Sequence, residues 1–249
     1  MGLSQGLSKR CFVTKGIKIG ILETGMNSPG LAAHGAYTSW FERMLLTTSG
    51  RFSYQAYQTY NGEIPSAPDA CDAYIISGSS SSVLDADPWI KALSDFLADI
   101  PLMQPIVGIC FGHQLLHQIF GGKVEKSTKG WGIGVHEYNV ALCMDWMNPR
   151  FDRVGLLVSH MDQVVQTAPD TTVLAGSDFC PNAITMIGTN ILTLQPHPEH
   201  TKEFAHELYN TRRARIGNGH VDDAINSLQQ PTHEGAVAEW IAQFIAVRV

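Results

Sequence analysis

The tightest constraint on this chain is the stretch Gly108-Ile109-Cys110-Phe111-Gly112. It closes an apolar run from Ile106 to Ile109 and opens at once into a helical pattern through Phe120. This is the G-x-S-x-G nucleophile elbow with sulfur in place of the hydroxyl. The turn forces its central residue into a strained backbone conformation, and side chains at the flanking positions would collide with the adjoining strand and helix. Such a turn lifts the Cys110 sulfur above the carboxyl edge of a sheet. There the positive end of a helix favours thiolate over thiol, and the Phe111 N–H points toward a reacting carbonyl as an oxyanion donor. The bland alternative is a small buried cysteine in a glycine-flanked turn.

Around the elbow, apolar runs alternate with helical spacing. Ile17 to Leu22, Phe52 to Tyr60, Ala73 to Ser77 and Ile106 to Ile109 read as strands. Tyr37 to Leu46, Pro88 to Leu97 and His113 to Phe120 read as helices, the last closed by Gly121-Gly122. That alternation predicts an α/β three-layer sandwich: a mainly parallel, mixed central sheet flanked by helices. Val135 to Leu142, Leu156 to Ser159, Thr172 to Ala175, Ala183 to Ile187 and Ile191 to Gln195 supply a partly antiparallel extension. From His200 the pattern is helical, with Ala236 to Val247 as a closing amphipathic helix. The expected division is an N-terminal lead-in over 1–16, a catalytic domain over 17–205 and a C-terminal helical appendage over 206–249.

The net charge of -6 argues against nucleic acid as a partner. Arg212, Arg213 and Arg215 form the one dense basic cluster, read here as a solvated helix face. No apolar run approaches the ~20 residues that span a bilayer, so no membrane partner is expected. Five scattered cysteines without a CxxC pair suggest neither a disulfide framework nor a zinc finger, and point to a cytoplasmic, reducing home. No metal or other cofactor is expected. His113 and His117 stand four residues apart, but no third ligand falls at suggestive spacing.

A sulfur nucleophile acting on an amide needs a proton donor for the departing amine. Of ten histidines, His197 is the best placed, in Leu194-Gln195-Pro196-His197-Pro198-Glu199. It follows the apolar strand Ile191 to Leu194, which puts it on the edge where the elbow stands. Prolines on both sides stiffen its loop, and Glu199 can hold the far ring nitrogen and fix the tautomer.

These residues, together with Gly121-Gly122-Lys123-Val124, Ser77-Gly78-Ser79, Lys129-Gly130-Trp131-Gly132 and Ser159-His160-Met161-Asp162-Gln163, resemble the class I glutamine amidotransferases. Within them the chain is most similar to the free-standing, GMP-synthase-like branch related to γ-glutamyl peptidases. The resemblance spans roughly residues 17 to 200 and implies a flavodoxin-like fold. It implies a Cys110-His197-Glu199 triad and a γ-glutamyl thioester on Cys110, formed with release of ammonia and resolved by hydrolysis or transfer. It places a second oxyanion donor at the Ser79 N–H beside Gly78, where a strand-ending turn exposes free amides. It also implies that Gln114 and the backbone of Ser159, His160 and Met161 hold the amino-acid moiety of a small-molecule substrate.

One departure is His200, where relatives commonly carry an aromatic residue. Another is the lack of any synthetase domain or G-x-x-x-x-G-K-[ST] phosphate loop in the sequence. Ammonia made here therefore either serves a separate synthetase subunit or is simply released. The alternatives are a γ-glutamyl peptide hydrolase, a non-catalytic binding module that keeps the fold, and another cysteine hydrolase on a similar sheet. The order Cys, His, Glu argues against an α/β-hydrolase, in which the acid precedes the histidine.

Overall fold

The computed structural model describes residues 16–101 and 103–249. The expected lead-in, apart from Gly16, and Cys11 lie outside the described residues. The central strands are short, and β3 (Ala73–Ile76), β4 (Ile106–Ile109) and β11 (Ile191–Leu194) are buried along their whole length. Continuous apolar strands of this kind need cover on both faces. β1 (Ile17–Glu23) is buried from Ile19 onward, whereas β2 (Phe52–Gln58) mixes half-buried and exposed positions, as befits a sheet edge.

Nine strands form one sheet in the order β2-β1-β3-β4-β11-β10-β9-β6-β7. The first five run parallel. The remainder, β10 (Ile184–Ile187), β9 (Thr171–Gly176), β6 (Gly132–Val140) and β7 (Arg153–His160), join antiparallel. The mainly parallel, mixed sheet expected from the alternating pattern is therefore the architecture. Strands β5 (Lys123–Lys126) and β8 (Asp162–Gln166) pair as a separate small sheet. The charged ends and short length of β5 hid it from periodicity, and only pairing defines it.

Side-chain alternation sorts the core into two faces. Ile19, Ile21 and Val107 meet α1 (Tyr37–Leu46) through Phe41 and Leu45, and α7 (Glu234–Ala246) through Ile241, Phe244 and Ile245. Leu22, Ile76 and Ile106 meet α2 (Pro88–Ala98) and α3 (Phe111–Ile119) through Leu93, Leu97, Leu115 and Leu116. The closing helix α7 is thus one wall of the main core. α4 (Lys202–Thr211) and α6 (Asn218–Ser227), linked by α5 (Arg213–Ile216), cover Ile133 and Leu157 with Ala205, Tyr209, Val221 and Leu228.

The elbow glycines have little freedom. A Cβ on Gly108 would lie 2.6 Å from the backbone of Gly112, and one on Gly112 would lie 2.7 Å from the Ile76 carbonyl oxygen. Real Cβ atoms do not approach backbone that closely, so strand and helix would have to separate. Gly112→Ala is expected to lower unfolding stability by at least about 2 kcal/mol, the scale of core overpacking. A urea midpoint equal to that of the wild type would show that the elbow relaxes freely.

Candidate active site

Four strand ends converge at the carboxyl edge of the parallel strands, beside the crevice where such sheets bind ligands. Cys110 follows β4 at φ 49°, ψ −93°, one of two non-glycine residues at positive φ among those described. Its N–H donates to the Leu194 carbonyl at 2.7 Å and its carbonyl accepts from the Gln114 N–H at 3.0 Å. Both bonds hold a backbone geometry that costs about 1–3 kcal/mol by itself. Phe111 opens α3, and its N–H is among those a helix leaves without an intrahelical partner.

His197 follows β11 and is tied to β7 by its N–H, which donates to the Leu157 carbonyl at 2.8 Å. Its ring Nδ1 meets Glu199 Oε1 at 2.7 Å, and both side chains are buried. That bond leaves Nε2 free of Glu199, and the Cys110 side chain lies close enough to act electrostatically on the imidazole. Burial alone would drive the imidazole toward neutrality, but Glu199 and Cys110 outweigh it and raise its pKa to about 10. The pairing thus biases the ring toward its protonated form.

The turn after β3 completes the cluster. The Thr24 hydroxyl donates within reach of the Gly78 carbonyl at 2.7 Å, and Thr24 N–H donates to Ser77 Oγ at 3.0 Å. Because the Gly78–Ser79 peptide is planar and trans, the Ser79 N–H points away from Thr24. A Cβ on Gly78 would lie 2.8 Å from His197 Cε1 and 3.6 Å from the Cys110 Cβ. Gly78 thus lies against both side chains, and only glycine fits there.

Two chambers flank this cluster. The smaller, about 200 Å³, is lined by Ser79, Cys110, Phe111, Gln114, Ser159, His160, Met161, Asp162 and both Arg212 and Arg215. All the residues singled out for the amino-acid moiety thus line one chamber. Gln114 is buried, and its amide donates to the Asp162 carbonyl at 2.9 Å and to Gln195 Oε1 at 3.1 Å. It braces the turn that carries Ser159 to Asp162. His160 donates from Nδ1 to the Asp162 carbonyl at 3.1 Å, and burial lowers its pKa to about 3. The larger chamber, about 790 Å³, begins at Gly78 and His197 and is walled by Tyr37, Trp40, Phe204 and Leu208.

His200 stacks on the His197 ring, centroids 4.0 Å apart and planes 5° off parallel. Burial holds His200 neutral, with the charge on His197 adding to the effect. A neutral flat ring does here what an aromatic side chain would do. His197, Glu199 and His200 bring three ligand-type atoms within 4.8 Å of one another, the one such group among the described residues. Glu199 Oε1 is already engaged by His197. The His113–His117 pair is structural: both are buried, with His113 Nδ1 2.7 Å from Thr193 Oγ1 and His117 Nε2 2.9 Å from Thr185 Oγ1.

The family model described as Glutamine amidotransferase class-I matches residues 33–212. The chain belongs to that family. Gamma-glutamyl peptidase 3 of Arabidopsis thaliana is 28% identical over 161 residues, covering 61% of this chain and 65% of the relative. A GMP synthase [glutamine-hydrolyzing] of Dinoroseobacter shibae is 34% identical over 140 residues, 51% of this chain and 24% of the relative. The matched part thus spans under two thirds of these relatives' own length. The solved structure of a glutamine amidotransferase from Thermotoga maritima superposes with a TM-score of 0.71 at 15% identity, covering 94% of this chain and 98% of that one. Class I glutamine amidotransferase-like architecture and family membership both hold.

Sequence reading misplaced one group. Arg212 does not lie on a solvated face: it is partly buried and donates to Ser159 Oγ at 2.6 Å, while Arg213 pairs outward with Asp222 at 2.8 Å. Adjacent residues leave a helix end in different directions, so a run of arginines in sequence carries no information about which one turns inward.

Proposed function

We propose that this chain hydrolyses γ-glutamyl amides, glutamine included, through a γ-glutamyl thioester on Cys110. The observation that carries the reading is the buried Cys110–His197–Glu199 chain at the end of β4 and β11. The Cys110 sulfur attacks the γ-carbonyl carbon. The oxyanion so formed takes hydrogen bonds from the Phe111 and Ser79 N–H groups. The carbon–nitrogen bond then breaks as His197 passes its proton to the leaving amine. Water attacks the thioester with His197 accepting a proton, and the sulfur departs, leaving a γ-carboxylate. Glu199 keeps the imidazole in the one tautomer and orientation that serves both steps.

A leaving amine larger than ammonia has room in the 790 Å³ chamber on the His197 side. This favours γ-glutamyl peptide hydrolysis alongside glutaminase chemistry, as does the similarity to proteins named gamma-glutamyl peptidase. Likeness to GMP synthases supports ammonia donation to a separate synthetase subunit as the other use of the same thioester. Residues 17–205 carry Cys110, His197 and Glu199, while 206–249 form a helical extension that closes the main core through α7 and reaches the Cys110 chamber through Arg212 and Arg215. Among the described residues no helix is long and apolar enough to cross a membrane, and the free thiols Cys71, Cys110, Cys143 and Cys180 suit a reducing cytoplasm.

Acid quenching during turnover of glutamine and of γ-glutamyl peptides tests the reading. Intact-mass analysis is expected to show one γ-glutamyl adduct, mapped to the peptide that contains Cys110. Turnover without any adduct, and unaffected by thiol alkylation, would remove the thioester from the mechanism.

A further inference from the structure

We propose that Arg212, assisted by Arg215, grips the α-carboxylate of the γ-glutamyl group and so decides which acyl donors the site accepts. The inference rests on the γ-glutamyl reading and assigns its recognition residues. Arg212 lies at the end of α4 and Arg215 within α5, and both reach the 200 Å³ chamber that holds Cys110. Neither is paired with a carboxylate among the described residues, although Arg213 between them has Asp222. A guanidinium offers five N–H donors. The Ser159 hydroxyl takes one from Arg212 at 2.6 Å.

The guanidinium groups are held in place. Both lie over the Trp131 ring, Arg212 at 5.8 Å and Arg215 at 4.7 Å from its centroid. A partly buried cation with unused donors, stacked on one side and open to a chamber on the other, is built for a planar anion. The partial burial of Arg212 lowers its pKa, and the neighbouring Arg215 charge adds to that, which an arriving carboxylate would relieve.

The lining also carries the opposite sign. Asp85 and Asp162 face the same chamber, where Ser82 donates to both, at 2.8 Å from its N–H and 2.5 Å from its hydroxyl. A chamber of amino-acid size with carboxylates and guanidinium groups matches a zwitterionic head, which a γ-glutamyl group bears whatever its leaving amine. Arg212 and Arg215 stand where the two chambers meet, since both also border the larger one on the His197 side, but Cys110 lines the smaller of the two. Their share of the Cys110 chamber is what assigns the paired arginines to the acyl half of the substrate.

Two anilides that differ only in the α-carboxylate test this: γ-L-glutamyl-4-nitroanilide and 4-aminobutanoyl-4-nitroanilide. The wild type is expected to prefer the first by about 10- to 100-fold in kcat/KM, the scale of one charge-assisted bidentate contact. In Arg212→Gln the preference should fall below about 3-fold, mainly through KM, with Arg212→Lys between the two and Arg215→Gln milder. A parallel readout needs no turnover: L-glutamate should protect Cys110 from iodoacetamide, and Arg212→Gln should raise the protecting concentration at least about 10-fold, whereas protection by 4-aminobutanoate stays unchanged. An unchanged carboxylate preference in Arg212→Gln, or equal loss on both anilides with equal loss of both protections, would overturn the assignment. Protection that depends on Arg212 in a protein that cleaves neither anilide would uphold the grip and sink the hydrolysis reading instead.

Discussion

Cys110→Ala is expected to lower γ-glutamyl hydrolysis by at least about 10⁴-fold on every substrate, because removing one member of a nucleophile–base unit costs nearly as much as removing all of it. The fold should survive, since Cys110 is small and its backbone bonds to Leu194 and Gln114 do not involve the sulfur. Cys110→Gly sharpens the test. The wild-type residue sits at φ 49°, where a Cβ is strained and glycine is not. Relief of about 1–3 kcal/mol of strain, less about 0.4–1 kcal/mol of added unfolded-state freedom, leaves a net gain near 1 kcal/mol. An inactive but more stable Cys110→Gly protein is therefore the expected pair of results, read from ammonia release and urea unfolding. Residual Cys110→Ala activity within tenfold of wild type would move the chemistry elsewhere.

Acid should unfold this protein well before its carboxylates titrate. His113, His117, His160 and His200 are all buried and held neutral, chiefly by desolvation, with His117 lowered to about 4 and His160 to about 3. His117 is locked as an acceptor at Nδ1, which takes the Ala168 N–H at 3.1 Å. In the unfolded chain each of these rings takes up a proton near 6.5, the ordinary histidine value. A depressed histidine contributes stability that is whole above that pH and lost as pH falls toward the folded value. The loss approaches about 1.4 kcal/mol per group per pH unit.

His117 and His160 over about two units already approach the low end of the ~5–15 kcal/mol that holds a domain together, and His113 and His200 add in the same direction. His197 acts with the opposite sign. Its raised pKa contributes stability that is complete below 6.5 and lost as pH climbs through about 10. Urea midpoints should therefore peak near neutrality and drop steeply between pH 6.5 and 5, with His197→Gln flattening the alkaline flank and, by removing a charge beside His160 and His200, softening the acid one. A midpoint constant from pH 7 to 5 would mean that the four rings do not stay neutral in the fold.

How far the sequence alone reaches can be seen at particular residues. The elbow was legible because its requirement is local: Gly108 and Gly112 are needed by contacts within one strand–turn–helix unit and its immediate neighbour Ile76. The alternating strands and helices of the first half were legible because each buried strand is a continuous apolar run. His197 was placed by the same logic, from the strand that precedes it and the prolines that flank it.

Features that arise from pairing at a distance were not legible. β5 and β8 exist only because they bond to each other. The closing helix α7 was recognisable as amphipathic, but only packing shows that it walls the main core beside α1. Arg212 was indistinguishable from Arg213 in the sequence, yet one faces Ser159 and the chamber and the other faces Asp222. Local chemistry is written in residue order, because a turn or a strand satisfies its own backbone within a few positions. The direction a long side chain takes, and the partner it lacks, depend on which surfaces the completed sheet brings together, and only the tertiary structure decides that.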